Sequence, residues 1–290
     1  MWTLNVRGKL LTIDQPVIMG ILNRTQDSFY SGSRVADDDT LMRQASTLLA
    51  DGADWLDVGG QSTRPGAETV GEEEEIRRVV GAIGRLRREW PEVILSVDTW
   101  HARVAALAVE AGAGIINDVS GGSMDPAMLE TVGKLGVPYI CMHMKGTPAT
   151  MNSEANYENV VTAVLDYFIG RIEACRQAGI HDVILDPGLG FAKTAAHNFQ
   201  LLDKLSLLSI CRKPLLLGVS RKSTIYRTLG VGPEDALNGS TVLHTLGLLH
   251  GANILRVHDP KEAREVIVLL EASRRSQPNA VEPHWPKARH

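Results

Sequence analysis

The sequence predicts an α/β protein built as a closed (β/α)₈ TIM barrel, on three observations. Eight short apolar runs lie at residues 17–22, 54–58, 94–98, 114–119, 138–143, 183–186, 215–219 and 253–257. They are nearly continuously apolar rather than alternating, as parallel strands covered on both faces are. Longer amphipathic or polar stretches separate them, and no GxGxxG turn of an open doubly wound sheet occurs. A chain of 290 residues suits one such barrel, which commonly reaches ~250 residues. The expected organisation is one domain over 1–275 and a poorly structured tail over 276–290, where three prolines meet few aliphatic residues.

Taken in order, residues 3–12 read as a short N-terminal β-hairpin with Arg7-Gly8-Lys9 at its turn, placed to close one end of the barrel. The clearest helix is 72–89, where Ile76, Val79, Val80, Ile83 and Leu86 share one face. Its acidic start, Glu72 to Glu75, and basic end, Arg85, Arg87 and Arg88, complement the helix dipole and read as a solvated face. No internal repeat, low-complexity block or interdomain linker interrupts the pattern.

Composition excludes several function classes. A net charge of −4 leaves the chain without an electrostatic footprint for nucleic acid. At 44% hydrophobic and 22% charged it can bury a full core, yet no apolar run approaches the ~18 residues of a membrane span. The N-terminus lacks a charged region followed by an apolar one, so no signal peptide is expected. Cys141, Cys175 and Cys211 are odd in number and without metal spacing, so buried reduced thiols in a cytoplasmic protein are the expectation.

The informative residues stand where the strands end. The runs terminate at Asn23, at Asp57 before Gly59-Gly60, at Asp98, at Asn117-Asp118, at His143 and at Asp186. The seventh runs into Ser220-Arg221-Lys222-Ser223, and the eighth carries Arg256 and His258. A packed barrel interior needs no such groups, so they mark an active site at one mouth. Asp98, Asn117 and Asp186 suit a flat heterocycle with several N–H donors, and Lys222 can donate to a ring carbonyl or nitrogen. Arg256 and His258, two apart on one strand, face the same way and form an anion clamp that Arg64 could close. A heterocycle carrying a diphosphate has this shape.

The same segments resemble the dihydropteroate synthases. Gly20-Ile21-Leu22-Asn23-Arg24-Thr25-Gln26-Asp27-Ser28-Phe29 resembles that family's first signature, and Asp57-Val58-Gly59-Gly60-Gln61-Ser62-Thr63-Arg64-Pro65-Gly66 its second. Further matches are Ser96-Val97-Asp98-Thr99, Ile116-Asn117-Asp118, Met142-His143-Met144 and Leu185-Asp186-Pro187-Gly188, then Ser220-Arg221-Lys222-Ser223 and Arg256-Val257-His258-Asp259. They follow the family's order over roughly residues 15 to 270.

The resemblance implies that a pterin diphosphate condenses with p-aminobenzoate, with sulfonamides as inhibitors and a homodimer as the assembly. It implies a pterin pocket of Asp98, Asn117, Met142, Asp186 and Lys222. Asn23, Arg64, Arg256 and His258 would face the diphosphate, with Asn23 also a ligand to Mg²⁺. Thr63, Pro65, Phe191, Ser223 and Phe29 would line the p-aminobenzoate site. Lys222, Arg256, His258, Asp98 and Arg64 would carry the catalysis. The chain departs from many members at Gln26, where they carry proline, and at Ser31, where they carry aspartate, so altered sulfonamide sensitivity is expected.

Other polar residues have plainer readings. Asp57 and Asp118 read as orienting or turn-making carboxylates, His143 and Met144 equally as site or packing residues. His101, His244 and His250 read as helix-surface or packing histidines, Lys193 and Lys261 as solvated. Two rival functions are a methyltetrahydrofolate:corrinoid methyltransferase-like barrel, which has no diphosphate to hold, and a non-catalytic pterin-binding barrel.

Overall fold

The computed structural model describes residues 1–23, 34–61, 70–147, 150–151 and 153–276. The chain opens with the hairpin, β1 (Trp2–Val6) paired antiparallel to β2 (Lys9–Ile13). Its two-residue turn, Arg7-Gly8, has positive φ at both positions, 54° and 80°, the conformation that suits a tight hairpin to the strands' twist.

Eight parallel strands follow: β3 (Val17–Asn23), β4 (Trp55–Gly59), β5 (Ile94–Asp98), β6 (Ile115–Asp118), β7 (Tyr139–Met142), β8 (Val183–Asp186), β9 (Leu216–Leu217) and β10 (Ile254–Val257). They hydrogen-bond in the order β8-β7-β6-β5-β4-β3-β10-β9. A parallel bridge between Leu185 and Leu215 joins the two ends, with the Leu185 amide donating to the Pro214 carbonyl at 2.9 Å. The ring is thereby closed.

Helices cross between successive strands: α1 (Arg34–Ala50), α2 (Glu72–Glu89), α3 (Ala102–Ala111), α4 (Met128–Leu135), α5 (Val160–Gln177) and α6 (Ala195–Asp203). The crossing from β9 to β10 carries two, α7 (Ser223–Leu229) and α8 (Leu237–Leu249), and α9 (Pro260–Arg275) follows β10. Helix α2 starts and ends as its charges predict and buries Val79, Ile83 and Leu86. Among the described residues no helix is long and apolar enough to cross a membrane. The expected tail lies almost wholly outside the described residues.

One expectation needs correction. The seventh strand, read as 215–219, keeps ladder pairing only at Leu216–Leu217. Beyond it the chain turns, with the Lys222 amide donating to the Val219 carbonyl at 3.2 Å. The apolar run continues because Val219 is buried, not because it is paired.

Strand periodicity explains where the site must be. Successive side chains point to opposite faces, so in a barrel they alternate between interior and helix layer. Ile18, Leu22, Leu56, Val58, Leu95, Val97, Ile116, Leu185, Leu217 and Leu255 pack in the layer with the helices. Their neighbours Met19, Trp55, Ile115, Ile140, Ile184, Leu216 and Ile254 form a second apolar cluster with Leu4, Val6 and Ile13 of the hairpin. The barrel's lower interior is therefore filled with hydrocarbon and capped by the hairpin. Two residues further along five of these strands, on the same interior face, stand Asp57, Asn117, Met142, Asp186 and Arg256. Asp98 shares that face with Ser96.

Candidate functional site

The interior polar residues are drawn into one network. Asp57 is fully buried, and its Oδ2 accepts from Asn117 Nδ2 at 2.9 Å and from Arg256 Nε at 2.6 Å. A second Arg256 nitrogen donates to Asp98 Oδ2 at 2.7 Å. One guanidinium thus spans β10, β4 and β5 and fixes two carboxylates. Burial works against the Arg256 charge, but Asp57 and Asp98 together hold its pKa above the ordinary arginine value. Burial pushes the Asp98 carboxyl up to about 7 despite Arg256, with Asp57, Glu75 and Asp118 adding repulsion.

Across the mouth, Asp186 is buried and its Oδ1 accepts the Gly188 amide at 2.8 Å. A β-carbon on Gly218 would stand 3.6 Å from Lys222 Nζ and 3.9 Å from Asp186 Oδ2, so glycine leaves open the space between these charges. Lys222 Nζ donates to the Leu189 carbonyl at 2.6 Å and lies 4.6 Å over the Phe191 ring. Burial lowers the Lys222 pKa to about 8 against the attraction of Asp186. Burial raises that of Asp186, which Lys222 opposes. Met142, Met144, Met151, Trp100, Val119 and Phe191 make an apolar patch beside them.

The rim is exposed. Asn23 ends β3, and a β-carbon on Gly59 would come within 3.0 Å of its Oδ1 and 3.7 Å of Asp98 Oδ2. His258 is exposed, with Nδ1 3.1 Å from Ser220 Oγ and its amide bonded to the same oxygen. Ser223 opens α7, directly after Lys222. A strut supports this side: Arg221, at φ 51°, donates to both carboxylate oxygens of Asp259 at 2.8 Å. It holds the turn after β9 against the residue that follows His258.

Of the residues singled out in the sequence, Asn23, Asp98, Asn117, Met142, Asp186, Phe191, Lys222, Ser223, Arg256 and His258 all come to this mouth. Phe29, Thr63, Arg64 and Pro65 lie outside the described residues, as do Gln26 and Ser31. On either side of 62–69 the described residues Gln61 and Val70 meet. Gln61 Nε2 donates to Glu75 Oε2 at 2.7 Å, and Gln61 Oε1 accepts the Val70 amide at 3.4 Å.

The plainer readings sort out by which face each residue occupies. Asp118 points away from the interior, accepting from the Ser120 and Gly122 amides and from the Tyr139 hydroxyl at 2.7 Å, so it makes the turn. Asp57 is the orienting carboxylate. His101 precedes α3 and lies 2.7 Å from Glu75, whose hydrogen bond raises its pKa. His244 is buried in α8, and Lys261 is exposed. Lys193 overturns its reading as solvated: its Nζ is enclosed, within 3.3 Å of His143 Nδ1, His143 O, Gly188 O and Phe191 O. Lysine is so commonly solvated that the sequence alone carried no signal for this.

Comparison with known proteins agrees with this geometry. The family described as pterin binding enzyme matches residues 19–258. Dihydropteroate synthase of Escherichia coli is 40% identical over 275 residues, covering 94% of this chain and 97% of that protein. Folic acid synthesis protein fol1 of Schizosaccharomyces pombe is 43% identical over 272 residues, and the match spans 90% of this chain but 37% of that longer protein. A solved structure of the Xanthomonas albilineans dihydropteroate synthase with 4-aminobenzoic acid superposes with a TM-score of 0.88 at 40% identity. It covers 95% of this chain and 99% of the other. The chain belongs to the pterin-binding enzyme family, and within it groups with the dihydropteroate synthases.

Proposed function

We propose that the barrel mouth joins 6-hydroxymethyl-7,8-dihydropterin diphosphate to p-aminobenzoate, giving 7,8-dihydropteroate and diphosphate, the folate-pathway reaction of a dihydropteroate synthase. The observation that carries this reading is the convergence of three buried hydrogen-bonding side chains. Asp98, Asn117 and Asp186, at 6%, 3% and 5% exposure, meet above a hydrocarbon floor with Lys222 and Arg256 beside them. Each of the three already has one partner, Arg256, Asp57 and the Gly188 amide respectively, and keeps a further oxygen for a ligand's donors. A flat heterocycle with ring N–H donors and a carbonyl satisfies them together.

The residues divide the work. Asp98, Asn117, Asp186 and Lys222 hold the pterin, with Met142 packed on it. Arg256 and His258 face the diphosphate, joined by Arg64. Phe191, Ser223, Thr63, Pro65 and Phe29 flank p-aminobenzoate. Mg²⁺ fits Asn23: its amide oxygen is a hard donor at the rim, and the described residues include no cluster of three acidic, histidine or cysteine ligands. An ion held by one side chain, water and substrate phosphate matches magnesium's habit. When bound it neutralises charge on the diphosphate.

In the reaction the C–O bond at the pterin methylene breaks, and its electron pair leaves with the diphosphate oxygen. The pterin ring shares the positive charge left behind, giving an SN1-like path. The arylamine lone pair then forms the C–N bond, and the nitrogen loses a proton to solvent. No side chain need act as nucleophile. Cys141 and Cys175 are unsuited to it, since burial pushes both thiols up, Cys175 to about 11. Arg256 and His258 stabilise the separating charge, and the fixed pocket supplies orientation.

The reading carries with it a cytoplasmic homodimer inhibited by sulfonamides. The test is calorimetric titration with the pterin diphosphate. Wild-type protein is expected to bind it and Asp186→Asn to lose that binding, because the amide replaces one acceptor oxygen with an NH₂ donor that opposes the ring N–H groups. An Asp186→Asn protein that binds as tightly as the wild type overturns the pterin assignment.

A further inference from the structure

The segment between β8 and α6 has an unusual backbone. Gly188, Gly190 and Ala192 all have positive φ, at 66°, 87° and 48°. The winding turns the Gly188 and Phe191 carbonyls toward one point, and Lys193 Nζ occupies it, 3.0 Å from each. The end of β7 closes the cage: His143 Nδ1 stands 2.8 Å and its carbonyl 3.3 Å from the same nitrogen. Burial lowers the Lys193 pKa to about 7 against the attraction of Asp186. In its protonated form the ammonium has three N–H donors and no lone pair, so Nδ1 accepts. His143 can do so because it is neutral; burial, reinforced by the Lys193 charge, lowers its pKa to about 3. The chain has built a cation site from carbonyls and filled it with its own lysine.

What depends on this segment gives the cage its meaning. The Gly188 amide holds Asp186, the Leu189 carbonyl receives Lys222 Nζ, and the Phe191 ring lies under the same ammonium. The cage thus sets a piece of backbone that serves both the proposed pterin and p-aminobenzoate sides of the mouth. We propose that Lys193 is a positioning residue of the reaction: its ammonium clamps the 188–191 segment to His143, and so places the Phe191 ring and Lys222 Nζ against the arylamine. This rests on the condensation proposed above. Lys193 touches no substrate and acts only through these two side chains.

Steady-state kinetics of Lys193→Met, with each substrate varied in turn, tests the idea beside calorimetric binding of the pterin diphosphate. The variant should raise KM for p-aminobenzoate by about tenfold and lower kcat, as expected when a reacting group is misplaced by a fraction of an ångström. Binding of the pterin diphosphate should weaken by less, about threefold, because Asp98 and Asn117 lie outside the clamp while Asp186 and Lys222 rest on it. The losses of Lys193→Met and Phe191→Ala should be less than additive in the double variant, the mark of action partly through that ring. Should Lys193→Met fail to fold, His143→Leu, which removes the Nδ1 acceptor but leaves the three carbonyl contacts, should show the same rise in KM to a smaller degree. Unchanged KM and kcat overturn the proposal, as does a loss shared equally by pterin binding and p-aminobenzoate KM. Wild-type protein that releases no diphosphate would overturn the condensation reading and this proposal with it.

Discussion

Arg256 is the residue on which the candidate site turns, because its guanidinium is shared between Asp57 and Asp98 at 2.6 and 2.7 Å. Burial nevertheless leaves Asp98 raised to about 7 against the pull of Arg256, so in the free protein it holds a proton at pH values where an unfolded chain's aspartate has lost it. The sign follows from linkage. Between about pH 4 and 7 the native state binds more protons than the unfolded state, so stability falls as pH rises through that window. Asp118 and Asp186, also raised by burial, act in the same direction. Urea unfolding at pH 5 and pH 8 should therefore show the wild type losing stability at the higher pH, and Asp98→Asn losing less. An equal loss in both proteins would show that Asp98 is ionised throughout. Much of this was readable in the sequence, because polar groups end nearly every strand at the same mouth, which one turn-making carboxylate such as Asp118 does not explain. The orienting role of Asp57 was among the readings the sequence offered; what was not readable is the partner it orients. That partner is Arg256, 199 positions away and marked by no local pattern.

At the scale of elements, the segment joining β8 to α6 matters most, and Gly188 is its tightest point. Its φ of 66° disfavours any side chain, and an added β-carbon would stand 2.1 Å from the His143 carbonyl oxygen. Backbone cannot retreat as a flexible side chain can, so Gly188→Ala should cost at least about 2 kcal/mol in urea unfolding and lower turnover with it. A variant as stable and active as the wild type would mean that the segment can move freely. The strands before such segments were legible as continuous apolar runs. Strand β9 was the exception, since Val219 is buried without pairing and apolarity alone cannot distinguish the two. The lysine cage was illegible because Lys193 meets its partner His143 from 50 positions away, across a fold the sequence does not display.

For the whole molecule, the closed ring explains why chemistry sits at one end only: the hairpin and the interior hydrocarbon fill the other. The outer surface is less complete. On α8, Val242, Leu246 and Leu249 are 50%, 38% and 57% exposed and fall on one stripe at helical spacing. Leu229 and Val231 nearby are 55% and 40% exposed. If this stripe carries the proposed homodimer contact, sedimentation should find the wild type dimeric and Val242→Asp/Leu246→Asp monomeric. A double variant that remains dimeric places the contact elsewhere.

The central claim is that this mouth condenses two substrates. Its most direct test follows diphosphate and 7,8-dihydropteroate together while p-aminobenzoate is varied at saturating pterin diphosphate. The account predicts equal amounts of both products, strict dependence on p-aminobenzoate, and inhibition by a sulfonamide that rising p-aminobenzoate relieves. Gln26 and Ser31 should make that inhibition differ from that of a relative with proline and aspartate there. Diphosphate released without dihydropteroate, or pterin bound with no turnover at all, would contradict it.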